Sequence, residues 1–302
     1  RGSARRASPP GFPPGKEVSM FRRISVLGTG LIGGSFALAL RKHVPEIRVI
    51  GWDRPEVLRQ AAALGVILEQ ADDLPAAVRG ADLVYLALPI GVTLDLLPAV
   101  ARLVEPQALV TDACSTKTVL CRAAATHFTS TARFLGGHPM AGREGSGIAN
   151  ADPGVFRGAR YALIGSEDDL DPRAAELATL LRRIGAVPVW LDAASHDRAV
   201  AYVSHLPQLL AVALGALLQQ SANQGDSLLA LAGPGLRDAL RLAGSPYPLW
   251  RDICLTNREQ IVSALESIIH QLDHLRTHLQ DRALEDDFLS ANELYKKLRG
   301  LQ

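Results

Sequence analysis

Apolar and polar positions divide the chain into two parts with different periodicities. From residue 21 to about residue 192, short apolar runs alternate with segments whose apolar residues recur at helical spacing. Such runs predict strands, and the segments between them predict crossover helices. The predicted strands are 24–27, 48–52, 83–88, 108–111, 161–164 and 187–191, and the predicted helices are 32–41, 56–64, 92–102 and 172–184. Because runs such as 83–88 are apolar throughout, this part is predicted to be an α/β, Rossmann-like, doubly wound and mostly parallel sheet.

Beyond residue 194 the strand pattern stops and only helical spacing remains. The pattern predicts a long helix at 197–220, shorter helices at 228–242, a second long helical region at 249–280 and a terminal helix at 285–298. Their apolar arcs are wider than one packed face requires, which favours burial in a homodimer, although packing within a single chain explains the pattern almost as well. We therefore expect three segments. They are a disordered extension or remnant of expression at 1–20, a dinucleotide-binding domain at 21–193, and an all-α dimerisation and substrate domain at 194–302.

Composition excludes several classes of protein. Lys and Arg total 32 against 31 Asp and Glu, so no surplus of positive charge is available to attract nucleic acid. Three cysteines cannot all pair and lack the spacing of metal ligands, which indicates reduced thiols in a cytoplasmic protein without a bound metal. The longest apolar stretches are interrupted well short of the roughly 20 residues that span a bilayer, so no membrane segment is expected.

A G-x-G-x-x-G sequence follows the first predicted strand and opens the first predicted helix. Gly28 would permit the tight turn, Gly30 would let the backbone approach a pyrophosphate, and Gly33 would allow close packing of helix on strand. The first N–H groups of the helix, at Leu31 and Ile32, would then bind the diphosphate. The alternative is a glycine turn that only packs the strand against the helix.

Asp53 lies at the end of the second predicted strand, some 25 residues after the glycine turn. A carboxylate there is expected to bind the adenosine ribose hydroxyls, which favours NAD over NADP. The neighbouring Arg54 could pair with a 2′-phosphate and leaves NADP open, although an exposed residue at a helix start is the commoner case. Leu88 and Pro89, at the end of the 83–88 strand, lie where a loop could cover the adenosine, but they could equally mark the end of the strand.

Two further segments carry candidate chemistry at strand ends. Ser115 lies in a Ser/Thr-rich stretch between a strand and a helix, where such residues also serve as helix caps. His138 is preceded by two glycines and followed by Pro139. This sequence predicts a stiff, exposed turn, which is an unusual place for a purely structural imidazole.

Five segments occurring in order resemble the prephenate/arogenate dehydrogenase family of tyrosine biosynthesis, and the resemblance extends from residue 21 to about residue 297. The segments are Gly-Thr-Gly-Leu-Ile-Gly-Gly-Ser at 28–35, Asp-Ala-Cys-Ser-Thr-Lys at 112–117, Gly-His-Pro-Met-Ala-Gly at 137–142, Ser-His-Leu-Pro at 204–207 and Leu-Trp-Arg-Asp-Ile at 249–253. The resemblance implies a Rossmann-like domain followed by a helical dimerisation domain. It also implies NAD-dependent oxidative decarboxylation of prephenate to 4-hydroxyphenylpyruvate.

The resemblance assigns roles to individual side chains. His138 would accept the proton of the substrate hydroxyl, and Ser115 would align that hydroxyl or His138 close to the nicotinamide. Arg241 matches a family position that binds a substrate carboxylate, and Asp238 lies one helical turn earlier, where it could hold Arg241 in place. Without the resemblance, a surface ion pair would be the preferred interpretation of these last two residues.

Three more residues are candidates for substrate binding. His205 opens the His-Leu-Pro motif and is either a cleft residue or simply buried. Glu144 matches a polar family position at the mouth of the site. Gln208 stands where many prephenate-using members have histidine, and an amide cannot carry charge. The choice between the keto substrate prephenate and the amino substrate arogenate therefore stays open, with prephenate favoured and dual use an alternative.

Two other functions compete with this interpretation. A 3-hydroxyacid dehydrogenase or an imine reductase has a similar two-domain build, but it should depend on a catalytic lysine in the helical part. The only lysines there are Lys296 and Lys297, at its far end. A dinucleotide-sensing module without catalysis is the alternative from a different class, and it would leave His138 and Arg241 without a purpose.

Overall fold

A computed structural model describes residues 19–129, 132–142, 145–167, 171–223, 227–280 and 282–300. Its strands and helices alternate up to residue 191, and only helices follow. The strands are β1 (Arg23–Leu27), β2 (Arg48–Trp52), β3 (Glu69–Gln70), β4 (Leu83–Leu86), β5 (Leu109–Asp112), β6 (Arg133–Leu135), β7 (Gly137–Pro139), β8 (Arg160–Ile164) and β9 (Val187–Leu191). The helices are α1 (Leu31–His43), α2 (Pro55–Ala63), α3 (Leu74–Val78), α4 (Ile90–Leu103), α5 (Thr118–His127), α6 (Pro172–Arg183), α7 (Ala193–Val200), α8 (Leu206–Asn223), α9 (Pro234–Leu240), α10 (Tyr247–Thr256), α11 (Arg258–Thr277) and α12 (Ala283–Gly300).

Six parallel strands form the main sheet in the order β3-β2-β1-β4-β5-β6. The chain winds outward from β1 on both sides, so the predicted Rossmann-like, doubly wound sheet is confirmed. Since all six strands run the same way, their carboxyl ends lie at one edge, which is where open α/β sheets bind ligands. A second sheet, β7-β8-β9, mixes one antiparallel and one parallel pairing.

Three short strands, β3, β6 and β7, were not predicted, because two or three residues are too few to show a periodicity. One of them corrects the interpretation of the His138 segment. The predicted exposed turn is wrong, since Gly137–Pro139 pairs with β8 and His138 lies opposite Ala162. The imidazole is only 9% exposed.

Aromatic side chains join the two sheets. Phe36 of α1 stacks on Tyr85 of β4 with ring centroids 4.1 Å apart. The hydroxyl of Tyr161 in β8 donates to that of Tyr85 over 3.1 Å, and both tyrosines are fully buried. Burial raises the pKa of both phenols, so they stay neutral and serve as packing groups whose hydroxyls are hydrogen-bonded to each other.

The helical part begins with one long helix that contains an irregular turn. Helices α7 and α8 are continuous through a π turn, Ala201–His205, in which the N–H of Leu206 reaches back to the carbonyl of Ala201. Pro207 explains the irregularity, because it has no N–H to continue the normal helical ladder. His205 therefore lies at the most distorted point of the helix.

The segment Ala193–Asn223 has a mean hydropathy of 1.6 and, by length and composition alone, could cross a membrane. Helices in protein cores pass the same test. This one carries four buried polar side chains, at His196, Asp197, His205 and Gln208.

The helical region predicted at 249–280 consists of two helices, α10 and α11, separated at Asn257. The predicted helices at 228–242 are α9 and two 3₁₀ turns, Ser227–Leu231 and Arg241–Gly244.

Candidate active site

Three glycines shape the turn between β1 and α1. Gly28 has φ +95°, and a Cβ there would lie 2.3 Å from the carbonyl oxygen of Ala87. A Cβ on Gly33 would lie 1.9 Å from the carbonyl oxygen of Gly28, so the helix could not pack as closely with any other residue. A Cβ on Gly30 would meet nothing within 4 Å. Two glycines therefore serve packing, and Gly30 borders open space.

The start of α1 is suited to an anion. The helix begins at Leu31 after Gly30, with no side-chain cap and no acidic residue in its first turn. The first N–H groups of an α-helix lack intrahelical acceptors, and the positive end of the helix dipole lies there. The open space at Gly30 and these N–H groups together fit the diphosphate of a dinucleotide.

Asp53 lies at the rim of this turn. One carboxylate oxygen accepts hydrogen bonds from the N–H of Thr29 at 2.6 Å and from its hydroxyl at 3.3 Å. The other oxygen accepts from the N–H of Arg54 at 2.7 Å. The guanidinium of Arg54 points to solvent, 3.5 Å from Glu56. The carboxylate therefore borders the glycine turn, and the arginine lies on the surface beside it.

A buried ion pair holds the backbone in front of His138. The Lys117 ammonium and the Asp112 carboxylate are in contact, and both side chains are fully buried. The N–H of Gly137 donates to Asp112 at 3.0 Å, and the carbonyl of Gly137 accepts from the Lys117 ammonium at 2.6 Å. Both backbone polar groups of Gly137 are thus bound at the carboxyl end of β5, which places His138 at the cofactor edge of the sheet.

The His138 ring is bound at one nitrogen only. Its Nδ1 lies 2.9 Å from Nε2 of His196, whose Nδ1 lies 2.8 Å from the Asp197 carboxylate. Nε2 of His138 has no hydrogen-bond partner among the described residues, and protein atoms do not fully enclose it. Burial, followed by the nearby His196, Lys117 and His205, holds the pKa of His138 well below its usual value. The ring is therefore neutral near pH 7.

His205 is buried at the end of the π turn. Its Nδ1 lies 3.3 Å from the amide nitrogen of Asn257, which also donates to the backbone carbonyl of Asp197 at 2.8 Å. The ring is packed edge-on against Trp250, with centroids 5.8 Å apart. Burial lowers the pKa of His205 to about 4. Since Nδ1 accepts from Asn257, the proton of this neutral ring is on Nε2.

Gln208 and Arg241 lie next to each other in the fold. The Gln208 amide nitrogen donates to the carbonyl of Leu242 at 2.8 Å, which ties the Arg241–Gly244 turn to α8. Arg241 is exposed at the start of that turn, and Asp238 is exposed on α9. The structure thus brings the two substrate-binding candidates Gln208 and Arg241 into one region.

The remaining predicted residues occupy varied positions. Ser115 is half-buried between β5 and α5, close in sequence to the ion pair that holds His138. It does not bind Nδ1 of His138, which is taken by another histidine. Leu88 is half-buried and Pro89 is exposed, immediately before α4. Glu144 lies outside the described residues.

Sequence reasoning missed five residues that build the site. Asp112 and Lys117 appeared only as part of a motif, and their pairing across a strand and a helix start has no periodic signal. His196 and Asp197 could have been noticed as adjacent polar residues at the start of a strongly apolar helix. Asn257 could have been noticed as a poor helix former within the helical region predicted at 249–280.

Comparisons with known proteins agree with this architecture. The family model described as the nucleotide-binding domain of prephenate dehydrogenase matches residues 36–190, and the model of its dimerization domain matches residues 192–294. The curated prephenate dehydrogenase of Lactococcus lactis is 35% identical over 263 residues, which are 86% of this chain and 72% of the relative. That of Bacillus subtilis is 35% identical over 267 residues, which are 88% and 72%.

A solved structure is similar over the whole fold. The crystal structure of prephenate dehydrogenase from Aquifex aeolicus, in complex with hydroxyphenyl propionate and NAD⁺, superposes with a TM-score of 0.84 at 28% identity. The match covers 95% of this chain and 100% of that chain. By its motifs, its fold and its similarity to these relatives, the chain belongs to the prephenate dehydrogenase family.

Proposed function

We propose that this chain catalyses the NAD-dependent oxidative decarboxylation of prephenate to 4-hydroxyphenylpyruvate and carbon dioxide, a step of tyrosine biosynthesis. One observation carries the proposal. His138 is a buried, neutral imidazole whose Nε2 has no hydrogen-bond partner among the described residues and is not fully enclosed, and it lies at the same edge of the sheet as the glycine turn. Similarity to curated prephenate dehydrogenases over 86–88% of the chain supports it.

His138 is the proton acceptor in this proposal. The ring hydroxyl of the substrate donates to Nε2 and transfers its proton there as the carbon–oxygen bond becomes a carbonyl. Bound NAD supplies the acceptor for the hydride that leaves the same carbon. Loss of the ring carboxylate as carbon dioxide then makes the ring aromatic, and the phenolate oxygen takes the proton back from His138. The imidazole returns to its neutral form, so the proton balance closes.

The other predicted residues would bind and orient the substrate. Ser115 aligns the reacting hydroxyl close to the nicotinamide, and Arg241 binds a substrate carboxylate with its planar guanidinium. His205 offers its Nε2–H as a donor toward the cleft. Glu144 would contribute at the mouth of the site. Together with His138, these groups supply the donors and the cation that a dianionic substrate requires.

The fit of the cofactor rests on the β1–α1 turn. The diphosphate would lie over Gly30 and accept hydrogen bonds from Leu31 and Ile32, while Asp53 binds the adenosine ribose. NAD is favoured over NADP because the Asp53 carboxylate would repel a 2′-phosphate, although Arg54 is near enough for NADP to serve as a weaker cofactor. Leu88 and Pro89 would cover the adenosine.

A second candidate substrate is arogenate, and one observation favours it. Gln208 uses one N–H of its amide nitrogen to hold the carbonyl of Leu242, and its amide oxygen has no hydrogen-bond partner among the described residues. An amide oxygen is an acceptor only, and it suits the ammonium of arogenate better than the keto group of prephenate. A dehydrogenase that uses both substrates is the corresponding alternative.

We further propose the organisation of the whole protein. Residues 21–193 form the dinucleotide-binding domain, and residues 194–302 form the helical domain that binds substrate and dimerises. The protein acts as a cytoplasmic homodimer. Only 28% of the 18-residue apolar window in the Ala193–Asn223 helix is buried within one chain, which supports burial of this helix against a second copy.

An assay of NADH formation with prephenate, arogenate and a simple hydroxyacid in parallel tests the function. We expect turnover with prephenate and little or none with the hydroxyacid. His138→Ala should lower the turnover number by about 10²–10⁴-fold and spare NAD affinity. Turnover of arogenate alone would show that the protein is an arogenate dehydrogenase. NAD binding without turnover of any substrate would favour a sensing module.

A further inference from the structure

We propose that His196 and Asp197 are positioning residues that fix the tautomer of His138, so that its Nε2 presents a lone pair to the substrate. This inference rests on the proposed role of His138 as proton acceptor. The observation behind it is an unbroken series of hydrogen-bond contacts that runs from His138 through His196 to Asp197. Nδ1 of His138 meets Nε2 of His196 at 2.9 Å, and Nδ1 of His196 meets the Asp197 carboxylate at 2.8 Å. His196 and Asp197 are almost fully buried.

The Asp197 carboxylate, at the end of this series of contacts, is an ionised hydrogen-bond acceptor. Asp197 receives hydrogen bonds from the N–H groups of Lys117 and Thr118, at the start of α5, over 2.7 and 2.8 Å. Burial alone would raise the pKa of Asp197, but hydrogen bonds from His196 and Thr118 outweigh it and lower the pKa below its ordinary value. A carboxylate in this state accepts hydrogen bonds and donates none. Nδ1 of His196 must therefore be the donor.

The protonation of the His196 and His138 rings follows from the ionised state of Asp197. A neutral His196 with its proton on Nδ1 has an unprotonated Nε2, which accepts a hydrogen bond. Nδ1 of His138 faces it at 2.9 Å and must supply the proton. A neutral His138 with its proton on Nδ1 carries its lone pair on Nε2, which is the nitrogen that protein atoms do not fully enclose. The arrangement therefore selects the tautomer that can accept the proton of the substrate hydroxyl.

The same contacts stabilise His138 after it has taken the proton of the substrate hydroxyl. His138 becomes an imidazolium when Nε2 takes the proton, and its Nδ1–H already points at an acceptor. The Asp197 carboxylate, one imidazole away, stabilises the positive charge without itself being protonated, as the carboxylate does in other oriented histidine sites. It opposes the nearby positive charge of Lys117, which otherwise disfavours the imidazolium.

The positioning contacts bridge separate elements. His138 is on β7, the two backbone donors belong to the start of α5, and His196 and Asp197 are on α7. Asn257, between α10 and α11, also binds the backbone carbonyl of Asp197. The orientation of the proton acceptor therefore depends on the docking of the first helical segments against the sheet, so a local change in α7 should alter the chemistry at β7.

The first measurement is the tautomer of His138 in the protein without cofactor or substrate. Long-range ¹H–¹⁵N correlation spectra of ¹⁵N-histidine-labelled protein at neutral pH distinguish protonated from unprotonated ring nitrogens, and the His138→Gln variant assigns the signals. We expect His138 and His196 each to be protonated on Nδ1 and unprotonated on Nε2. A proton on Nε2 of His138, or a His196 ring protonated on both nitrogens, would overturn the proposal.

The second measurement uses paired variants of His196. His196→Phe keeps a buried ring but removes the acceptor, whereas His196→Gln keeps an acceptor oxygen. We expect His196→Phe to lower the turnover number by at least about tenfold, but by less than loss of the base itself, which is about 10²–10⁴-fold, with NAD affinity unchanged. His196→Gln should recover part of that loss. His127→Phe, at an exposed histidine, is the control and should behave as wild type.

Two outcomes separate this inference from the proposed function. If the wild-type protein turns over neither prephenate nor arogenate, the proposed function fails, while the tautomer spectrum still tests the positioning. If turnover is present and His196→Phe leaves both the turnover number and the His138 tautomer unchanged, the positioning role is wrong. Should His196→Phe not fold, the wild-type spectrum and the His196→Gln variant decide the question.

Discussion

At the scale of single residues, the site depends on charges and imidazoles that are removed from water. Asp112 and Lys117 are both 0% exposed. Taking two charges out of water is costly unless each is paired and hydrogen-bonded. Here the carboxylate also accepts from the N–H groups of Cys114 and Gly137, and the ammonium also donates to the Gly137 carbonyl. The ion pair is therefore a structural clamp on the residue that precedes His138.

Removing one partner of the Asp112–Lys117 ion pair should strongly destabilise the folded protein. Lys117→Met should lower the free energy of unfolding by about 3–5 kcal/mol, because an unpaired carboxylate would be left in the interior. Urea denaturation of the two proteins measures the difference. Arg48→Met, which breaks the exposed pair with Glu69, is the control and should cost far less because water screens that pair. Similar losses in the two variants would show that Asp112 is not held by Lys117.

Buried neutral histidines make stability depend on pH. The unfolded chain takes up a proton at His205 near pH 6.5, while the folded protein does so only near pH 4, because burial lowers the pKa of His205. The free energy of unfolding should therefore fall as the pH falls from 6.5 towards 4, with His138 acting in the same direction.

Denaturant titrations across this pH range check the dependence. His205→Gln should have a smaller pH slope, since one proton fewer is taken up on unfolding, and His127→Gln at an exposed site should keep the wild-type slope. An equal slope in His205→Gln and wild type would mean that the His205 pKa is not lowered by folding.

At the scale of elements, different glycines of the β1–α1 turn serve packing and cofactor binding. Gly33 lies where any side chain would collide with the backbone of Gly28. Gly30 has φ −69° and no neighbour within reach of a Cβ. An alanine at Gly30 is therefore compatible with the fold, but its methyl group would occupy the space that we assign to the diphosphate.

Two alanine variants should separate these tasks. Gly33→Ala should lower the free energy of unfolding by at least about 1–3 kcal/mol, the usual cost of forcing extra atoms into a packed site. Gly30→Ala should keep the wild-type melting temperature and lose NAD affinity. Thermal unfolding and titration of NAD by protein fluorescence measure the two effects. Unchanged NAD affinity in Gly30→Ala would move the diphosphate away from this turn.

At the scale of the whole molecule, apolar surface is concentrated in the helical part. Large exposed side chains there include Leu217, Leu231, Leu255, Phe288 and Leu298. An excess of exposed large apolar side chains in one part of a soluble protein is typical of an interaction surface. The family model of the dimerization domain matches this same region, residues 192–294. Burial against a second copy is therefore the proposed reason for the wide apolar arcs of these helices.

Charges placed on this surface should separate the subunits. Leu217 is 61% exposed and Phe288 is 64% exposed, and the double substitution Leu217→Glu and Phe288→Glu should convert the dimer into monomers. Sedimentation velocity or light scattering measures the mass. Leu68→Glu is the matched control, because Leu68 is 73% exposed but lies in the first part of the chain. A wild-type monomer, or a double variant that stays dimeric, would contradict the assignment of this surface.

Local patterns sufficed for the elements with a strong periodicity or a backbone constraint. The long apolar runs predicted the principal parallel strands, and the G-x-G-x-x-G spacing predicted a turn that requires glycine at Gly28 and Gly33. The motif around His138 identified this residue as a candidate for catalysis. The exposed turn predicted for it was wrong, because a three-residue strand shows no periodicity and its burial is decided by β8, which follows more than twenty residues later in the chain.

The sequence by itself determined where the strands and glycines lie, because those depend on side-chain alternation and on allowed backbone angles within a few residues. Only the tertiary structure decided which polar side chains meet. The contact of His138 with His196 joins side chains 58 positions apart, and the Asp197 carboxylate accepts from the backbone N–H of Lys117, 80 positions away. No local pattern encodes such pairings, since they arise when packing of the apolar faces brings distant segments together and the buried polar groups must then find partners.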